Sequence, residues 1–205
     1  MRREDLPRKF QADVGRFYER VILPVLHELQ PHADVPTGVF TSEEAFFAAC
    51  EKLTFNMVAF EARRLFSLTL AGLFERQLRG WAQVHASETE RAALATKPFD
   101  HLLQEIANAE GIDLIMANID DTITELHLLA NAVRHGEGFS AERLRQKHLS
   151  LWKITGEVGP SSRQSLLTDE DVQPSDEDFA RYIRAVVRFW GLADKEINAV
   201  LDGPY

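Results

Sequence analysis

The stretch that decides the fold is TSEEAFFAACEKLTFNMVAFEARRLFSLTLAGLFERQLRGWAQVHA, residues 41–86. It contains no proline, and its only glycines are Gly72 and Gly80. Thr41 or Ser42 is the expected N-cap. Apolar side chains recur every three or four residues, the period of a helix with one apolar face; they are Phe46, Cys50, Leu53, Met57, Phe60, Leu68, Leu73, Leu78 and Trp81. We predict one very long helix over residues 42–86, or two helices in line. Such a length favours an extended bundle or a dimer.

Helical patterns cover both flanks of this stretch. They predict an N-terminal helix over residues 6–30, which Pro24 would kink or split, followed by a loop over residues 31–38. After the long helix and the polar stretch HASETERAALATK, residues 98–138 are predicted to form core helices.

The first of these core helices is predicted from Pro98 to Ala109. A longer one runs from Leu114 to His135, with Asp113 as its cap and Ile115 on its apolar face. Gly136 and Gly138 close it, and a brief helix begins at Ser140.

Turn-forming residues over 155–174 predict a loop, and a final helix follows over residues 175–201, with Ile197 on its apolar side. No stretch alternates as a strand does. The expected fold class is therefore all-α, with residues 1–205 forming a single-domain bundle of about five or six helices.

Composition bounds the function. The chain has 205 residues, 45% of them hydrophobic, and a net charge of −9, which argues against broad binding to a polyanion. Cys50 is the only cysteine, so neither an internal disulfide nor a cysteine zinc site is expected. The N-terminal sequence lacks the apolar core of a signal peptide, and no apolar run would span a bilayer. We expect a cytoplasmic protein with no membrane segment and no cofactor.

The stretch ELHLLANAVRHGEG, residues 125–138, is the main candidate site. His127, Asn131 and His135 are spaced by four residues on a helix, and Arg134 lies seven after His127, so these four side chains share one face. We call them the polar set. Imidazole moves protons near neutral pH, and a guanidinium holds a phosphate. These residues would suit metal-independent cleavage of an RNA phosphodiester.

The same residues also have a purely structural interpretation. Arg134 and His135 fall in the last helical turn, where cations favour the helix dipole, and Gly136 ends the helix. A metal site is disfavoured, because two histidines eight residues apart are separated by about 12 Å along the axis.

A helical bundle with a long helix and a later helix ending in N-A-V-x-H-G resembles the HEPN superfamily (higher eukaryotes and prokaryotes nucleotide-binding). The resemblance implies a small all-α protein of a bacterial defence or toxin–antitoxin system, usually dimeric, whose active members are metal-independent ribonucleases. Asn131 and His135 match the polar residue and the histidine of its motif. Ala130 stands where active members have arginine, so either Arg134 or His127 substitutes for it, or this chain is a non-catalytic member.

A second charged stretch, FERQLRGW, lies at residues 74–81. Glu75 and Arg79 are spaced for an ion pair. The HEPN resemblance places the long helix beside the helix with the motif, so Glu75 or Arg76 would support His135 or Arg134. Ordinary surface pairing is the alternative role.

Two functions follow from the sequence. The first is an RNA-directed, HEPN-like protein in which His135 is the acid or base, Asn131 orients it, and Arg134 with His127 contacts phosphate. The second is a non-enzymatic helical interaction or regulatory module that dimerises through the long helix and binds a cognate protein. The expected partners are thus a second copy, RNA or a cognate protein. An enzyme requires the polar set to line a cleft.

Overall fold

The computed structural model describes residues 3–36, 38–152, 168 and 171–204. Throughout these residues the regular structure is helical, apart from one isolated bridge between Trp152 and Val172. The all-α prediction is therefore confirmed. The helices are α1 (Leu6–Phe17), α2 (Leu23–Glu28), α3 (Glu43–His85), α4 (Glu88–Thr96), α5 (Phe99–Ala109), α6 (Asp120–His135), α7 (Phe139–Lys147) and α8 (Asp176–Ala193).

The N-terminal helical run is distorted just before Pro24, as its sequence predicted. Residues Tyr18–Ile22 form a π-helical turn between α1 and α2, and the amide of Leu23 donates to the carbonyl of Tyr18. Proline has no N–H, and its ring clashes with the carbonyl four residues earlier, so the wider turn relieves the clash without ending the run. The run stops at Glu28, close to the predicted end.

Helix α3 confirms the long helix, and Ser42 is its cap. The Ser42 hydroxyl accepts a hydrogen bond from the Ala45 amide at 3.2 Å. The second half of α3 packs against α5 and α6 and has Phe74 and Leu78 in the core. The first half lies beside the segment before it, where Asn56 exchanges two hydrogen bonds with the backbone of His32.

Helix α8 forms the centre of the bundle, between α1 and α6. Its Trp190 is fully buried, and the indole nitrogen donates to Gln77 Oε1 at 2.8 Å. Gln77 in turn donates to the carbonyl of Phe10. Aromatic rings surround Trp190 at centroid distances of 4.8–6.3 Å; they are Phe10, Phe74, Trp81 and Phe189.

The predicted start of the motif helix is wrong. Asp113 accepts hydrogen bonds from the amides of Ile115 and Met116, but the turn it caps ends at Asn118, whose φ is 57°. Helix α6 therefore begins at Asp120. Ile115, which was predicted to be on the buried face, is 78% exposed.

The C-terminal helix is shorter than predicted. It ends at Ala193 rather than Leu201, and Ile197 is 98% exposed instead of lying on an apolar face. The chain turns back so closely that a Cβ on Gly191 would lie 2.5 Å from the carbonyl oxygen of Val200. Periodicity alone did not reveal this reversal.

The polar stretch after α3 contains α4, which was not predicted and which begins with a capping box between Ser87 and Glu90. Most of the predicted loop over 155–174 lies outside the described residues.

In the part of the chain that is described, no helix combines the length and apolarity needed to cross a membrane.

Candidate functional site

The C-terminal half of α6 carries the predicted site. The helix ends at Gly136, whose φ of 74° suits glycine and whose amide donates to the carbonyl of Ala132. Leu126, Leu129 and Ala130 face the core. This orientation leaves His127 and Asn131 half-buried at the edge of the bundle, with Arg134 and His135 exposed.

His127 is held in place by its neighbours. Its ring stacks on Phe99 with centroids 4.0 Å apart and an angle of 9° between the planes. The Asn131 amide nitrogen lies 3.0 Å from His127 Nε2, which assigns the acceptor role to that nitrogen in the neutral ring. Burial lowers the pKa of His127. The negative charges of Asp100 and Glu75 raise this pKa, but their effect is smaller than that of burial. A neutral, stacked imidazole with one nitrogen occupied is typical of a structural histidine.

Ala130, the departure from the HEPN motif, faces inward. It is 3% exposed, so an arginine at this position would begin within the core rather than on the face that carries His135. Arg134 is close enough to His127 to lower its pKa further, after burial. The structure therefore brings His127 and Asn131 together, while Arg134 and His135 are exposed in the last turn.

The residues of α3 that were predicted to support the candidate site make other contacts instead. Arg79 pairs with Glu75 at 2.6 Å, as the spacing predicted. The same guanidinium donates to the carbonyl oxygens of Leu94 and Lys97, which binds the end of α4 to α3. Arg76 is exposed. The described hydrogen bonds and ion pairs of Glu75 and Arg79 thus secure α4 and do not reach His135.

A polar cluster that sequence reasoning missed lies on the opposite side of α6. Glu125, only 3% exposed, accepts two hydrogen bonds from the guanidinium of Arg181 and one at 2.6 Å from the hydroxyl of Tyr182. Its Oε2 also lies 2.8 Å from Nδ1 of His148. We call these four residues the Glu125 cluster. Asp178 binds Arg181 from the same helix at 2.9 Å.

The Glu125 cluster joins three elements: α6, the end of α7 and α8. Burial raises the pKa of Tyr182 and the negative charge of Glu125 adds to this effect, so the phenol stays protonated and donates. Every oxygen of the carboxylate has partners, which is the condition for burying a charge. The available sequence signal was the position of Glu125 beside Leu126 and Leu129 on the apolar side of α6.

Neither group of residues is arranged as a metal centre. Among the residues that the structure describes, no three histidine, cysteine, aspartate or glutamate side chains come together as ligands. Comparison of the chain with protein-family models, with curated proteins and with solved structures finds no match.

Proposed function

We propose that this chain is a non-enzymatic helical interaction protein that forms a homodimer through the first half of α3. The observation that carries this proposal is a row of large apolar side chains that stay about half exposed, although Phe40 packs on the first of them. We call it the apolar stripe; its members are Phe46, Phe47, Leu53, Met57, Val58 and Leu65, which are 46–65% exposed.

The apolar stripe follows the helical period along one side of α3. The neighbouring side is occupied by the preceding segment, through the contacts of Asn56 with His32 and of Lys52 with the carbonyl of Asp34. The exposed side runs from Phe46 to Leu65, about 30 Å at a rise of about 1.5 Å per residue, and is interrupted by Glu61, whose side chain is 55% exposed.

The area fits a second copy of the chain. Six side chains that are about half exposed offer at most about 600 Å² of apolar surface, if each has the roughly 200 Å² of an aromatic side chain. This is at the upper end for a monomer, whose largest patch is about 300–600 Å², and approaches the roughly 800 Å² that each partner contributes to a stable interface. Antiparallel pairing of two α3 helices about a two-fold axis would bury the stripe against itself.

The test is the molar mass in solution, measured by light scattering after size exclusion over a range of concentrations. We expect the wild-type chain to have twice its monomer mass of 23.3 kDa. Met57→Glu places a charge in the stripe and is expected to give monomers. Ile115→Glu is the matched control, since Ile115 is also apolar and, at 78%, even more exposed than Met57, but lies outside the stripe. A wild-type chain that stays monomeric at every concentration would refute the homodimer.

A second candidate function is an RNA-directed, HEPN-like ribonuclease of a defence or toxin–antitoxin system. It is supported by the exposure of both Arg134 and His135 on the last turn of α6, where they would reach a phosphodiester. Its test is growth and total RNA after induction in a bacterial host. Toxicity and RNA cleavage lost in His135→Ala, and kept in the exposed control His101→Ala, would establish catalysis. Harmless expression with intact RNA would reject it.

A further inference from the structure

A cavity of about 250 Å³ lies between the C-terminal end of α3, helix α4 and helix α5. Its wall contains Trp81, Leu94 and Ile106, none of which is more than 6% exposed. The space exists because the facing positions have short side chains; these are Ala82, Ala86, Ala93 and Ala109. Concave, mainly apolar sites with a few fixed polar groups are the usual form of small-molecule sites.

The polar groups around this cavity carry a negative excess. Glu90, Glu105 and Glu110 line it, against the single ammonium of Lys97. Lys97 is already paired with Glu105. Hydrogen bonds from Ser87 lower the pKa of Glu90, so this carboxylate is ionised at neutral pH. An anionic ligand would therefore meet repulsion, and a cationic one attraction.

Glu110 is the best-placed partner for a ligand charge. The Trp81 indole nitrogen donates to Glu110 Oε1 at 3.0 Å, which fixes the carboxylate at the cavity wall and leaves Oε2 to accept a further hydrogen bond. The apolar wall and the fixed carboxylate are thus side by side. Charge-assisted hydrogen bonds of this kind are stronger than neutral ones.

We propose that this cavity binds a small organic cation, a protonated primary amine on an apolar body. The cavity volume equals that of about eight water molecules at about 30 Å³ each, which accommodates a small organic amine. The apolar body contacts Trp81 and Leu94, and the ammonium donates to Glu110.

This site is independent of the proposed dimer. Ala82 lies on α3 about 25 Å beyond Leu65, the last residue of the apolar stripe, at a rise of about 1.5 Å per residue. Loss of dimerisation would therefore leave the cavity intact, and the two proposals fail separately.

The probe is 2-phenylethylammonium, titrated into the full chain by isothermal calorimetry at neutral pH, with 2-phenylethanol as the neutral analogue of the same shape. We expect saturable one-to-one binding of the amine, and affinity for the alcohol about ten-fold weaker, because the hydroxyl carries no positive charge to attract the Glu110 carboxylate. Glu110→Gln keeps the acceptor for Trp81 and removes the charge. It is expected to weaken amine binding about ten-fold and alcohol binding by a smaller factor.

A second test fills the cavity with a larger side chain. Ala93→Leu fills the cavity from an exposed helical position, and Ala92→Leu is the matched control on the same helix outside the lining. We expect amine binding to be lost in the first variant and kept in the second, with equal helicity by circular dichroism. Absence of saturable binding, equal affinity for the alcohol, or binding that survives Ala93→Leu would each overturn the proposal.

Discussion

Replacing Glu125 by glutamine tests whether the Glu125 cluster holds the bundle together. Glutamine has the same shape but no charge, and one of its two terminal atoms donates instead of accepting. In Glu125→Gln, either Arg181 and Tyr182 or Arg181 and His148 would face an NH₂ group where they now meet an oxygen. In either orientation the contact with Arg181 becomes a donor–donor clash, because a guanidinium cannot accept, and the second contact persists only with its hydroxyl or ring nitrogen as the acceptor.

The size of the loss follows from burial and from the remaining partners. Breaking a buried ion pair costs about 3–5 kcal/mol when a charge is left without compensation. Here the Arg181 side chain is 37% exposed and retains Asp178 at 2.9 Å, so its charge is partly compensated. We therefore expect the free energy of unfolding to fall by about 3 kcal/mol, the lower end of that range.

The assay is urea-induced unfolding followed by far-ultraviolet circular dichroism. The free energies of unfolding of wild type and variant are compared after checking that their m-values agree. The control is Glu105→Gln, which also removes one carboxylate from an ion pair, but with a side chain that is 56% exposed. Exposed pairs contribute about 0–1 kcal/mol, so the control should change little. A loss below about 1 kcal/mol in Glu125→Gln would show that the Glu125 cluster adds no more than a surface pair.

Three further predictions concern single positions. The lowered pKa of His127 means that the unfolded chain binds the proton more readily, so stability falls as pH drops below 6.5; His127→Gln should show a smaller fall in a pH series of urea midpoints. In Gly191→Ala the added Cβ would meet the carbonyl of Val200, so the free energy of unfolding should fall by about 1–3 kcal/mol; a variant as stable as the wild type would refute this close approach. Ser175→Ala removes the N-cap of α8, because the Ser175 hydroxyl accepts a hydrogen bond from the Asp178 amide. The free energy of unfolding should fall by about 1 kcal/mol, and an unchanged urea midpoint would contradict this.

The sequence predicted the helices that local signals define. The 3.6-residue period and the Ser42 cap located α3, and the Ser175 and Asp178 pair located the start of α8. The errors fall where distant contacts overrule the local pattern. Nothing local distinguishes the single turn after Asp113 from a helix start, and only tertiary structure shows that the chain folds back onto Gly191.

The site was less predictable than the fold. Spacing placed His127 and Asn131 on one face, and the structure joins them, but stacking on Phe99 comes from a helix that spacing does not relate to α6. Glu125 was visible in the same stretch. Its partners Arg181 and Tyr182 lie more than fifty residues away, so the buried cluster required the tertiary fold to become apparent.

Helix α3 passes through two environments, and this has a consequence for hydrogen exchange. We expect the amides around the buried Phe74 and Leu78 to open only with the core, and those between Glu43 and Met57, where the side chains are more exposed, to open by local unfolding. Association through the apolar stripe would slow exchange in the first half alone. A single helix would then report two equilibria at once, with assembly read from its first turns and global folding from its last.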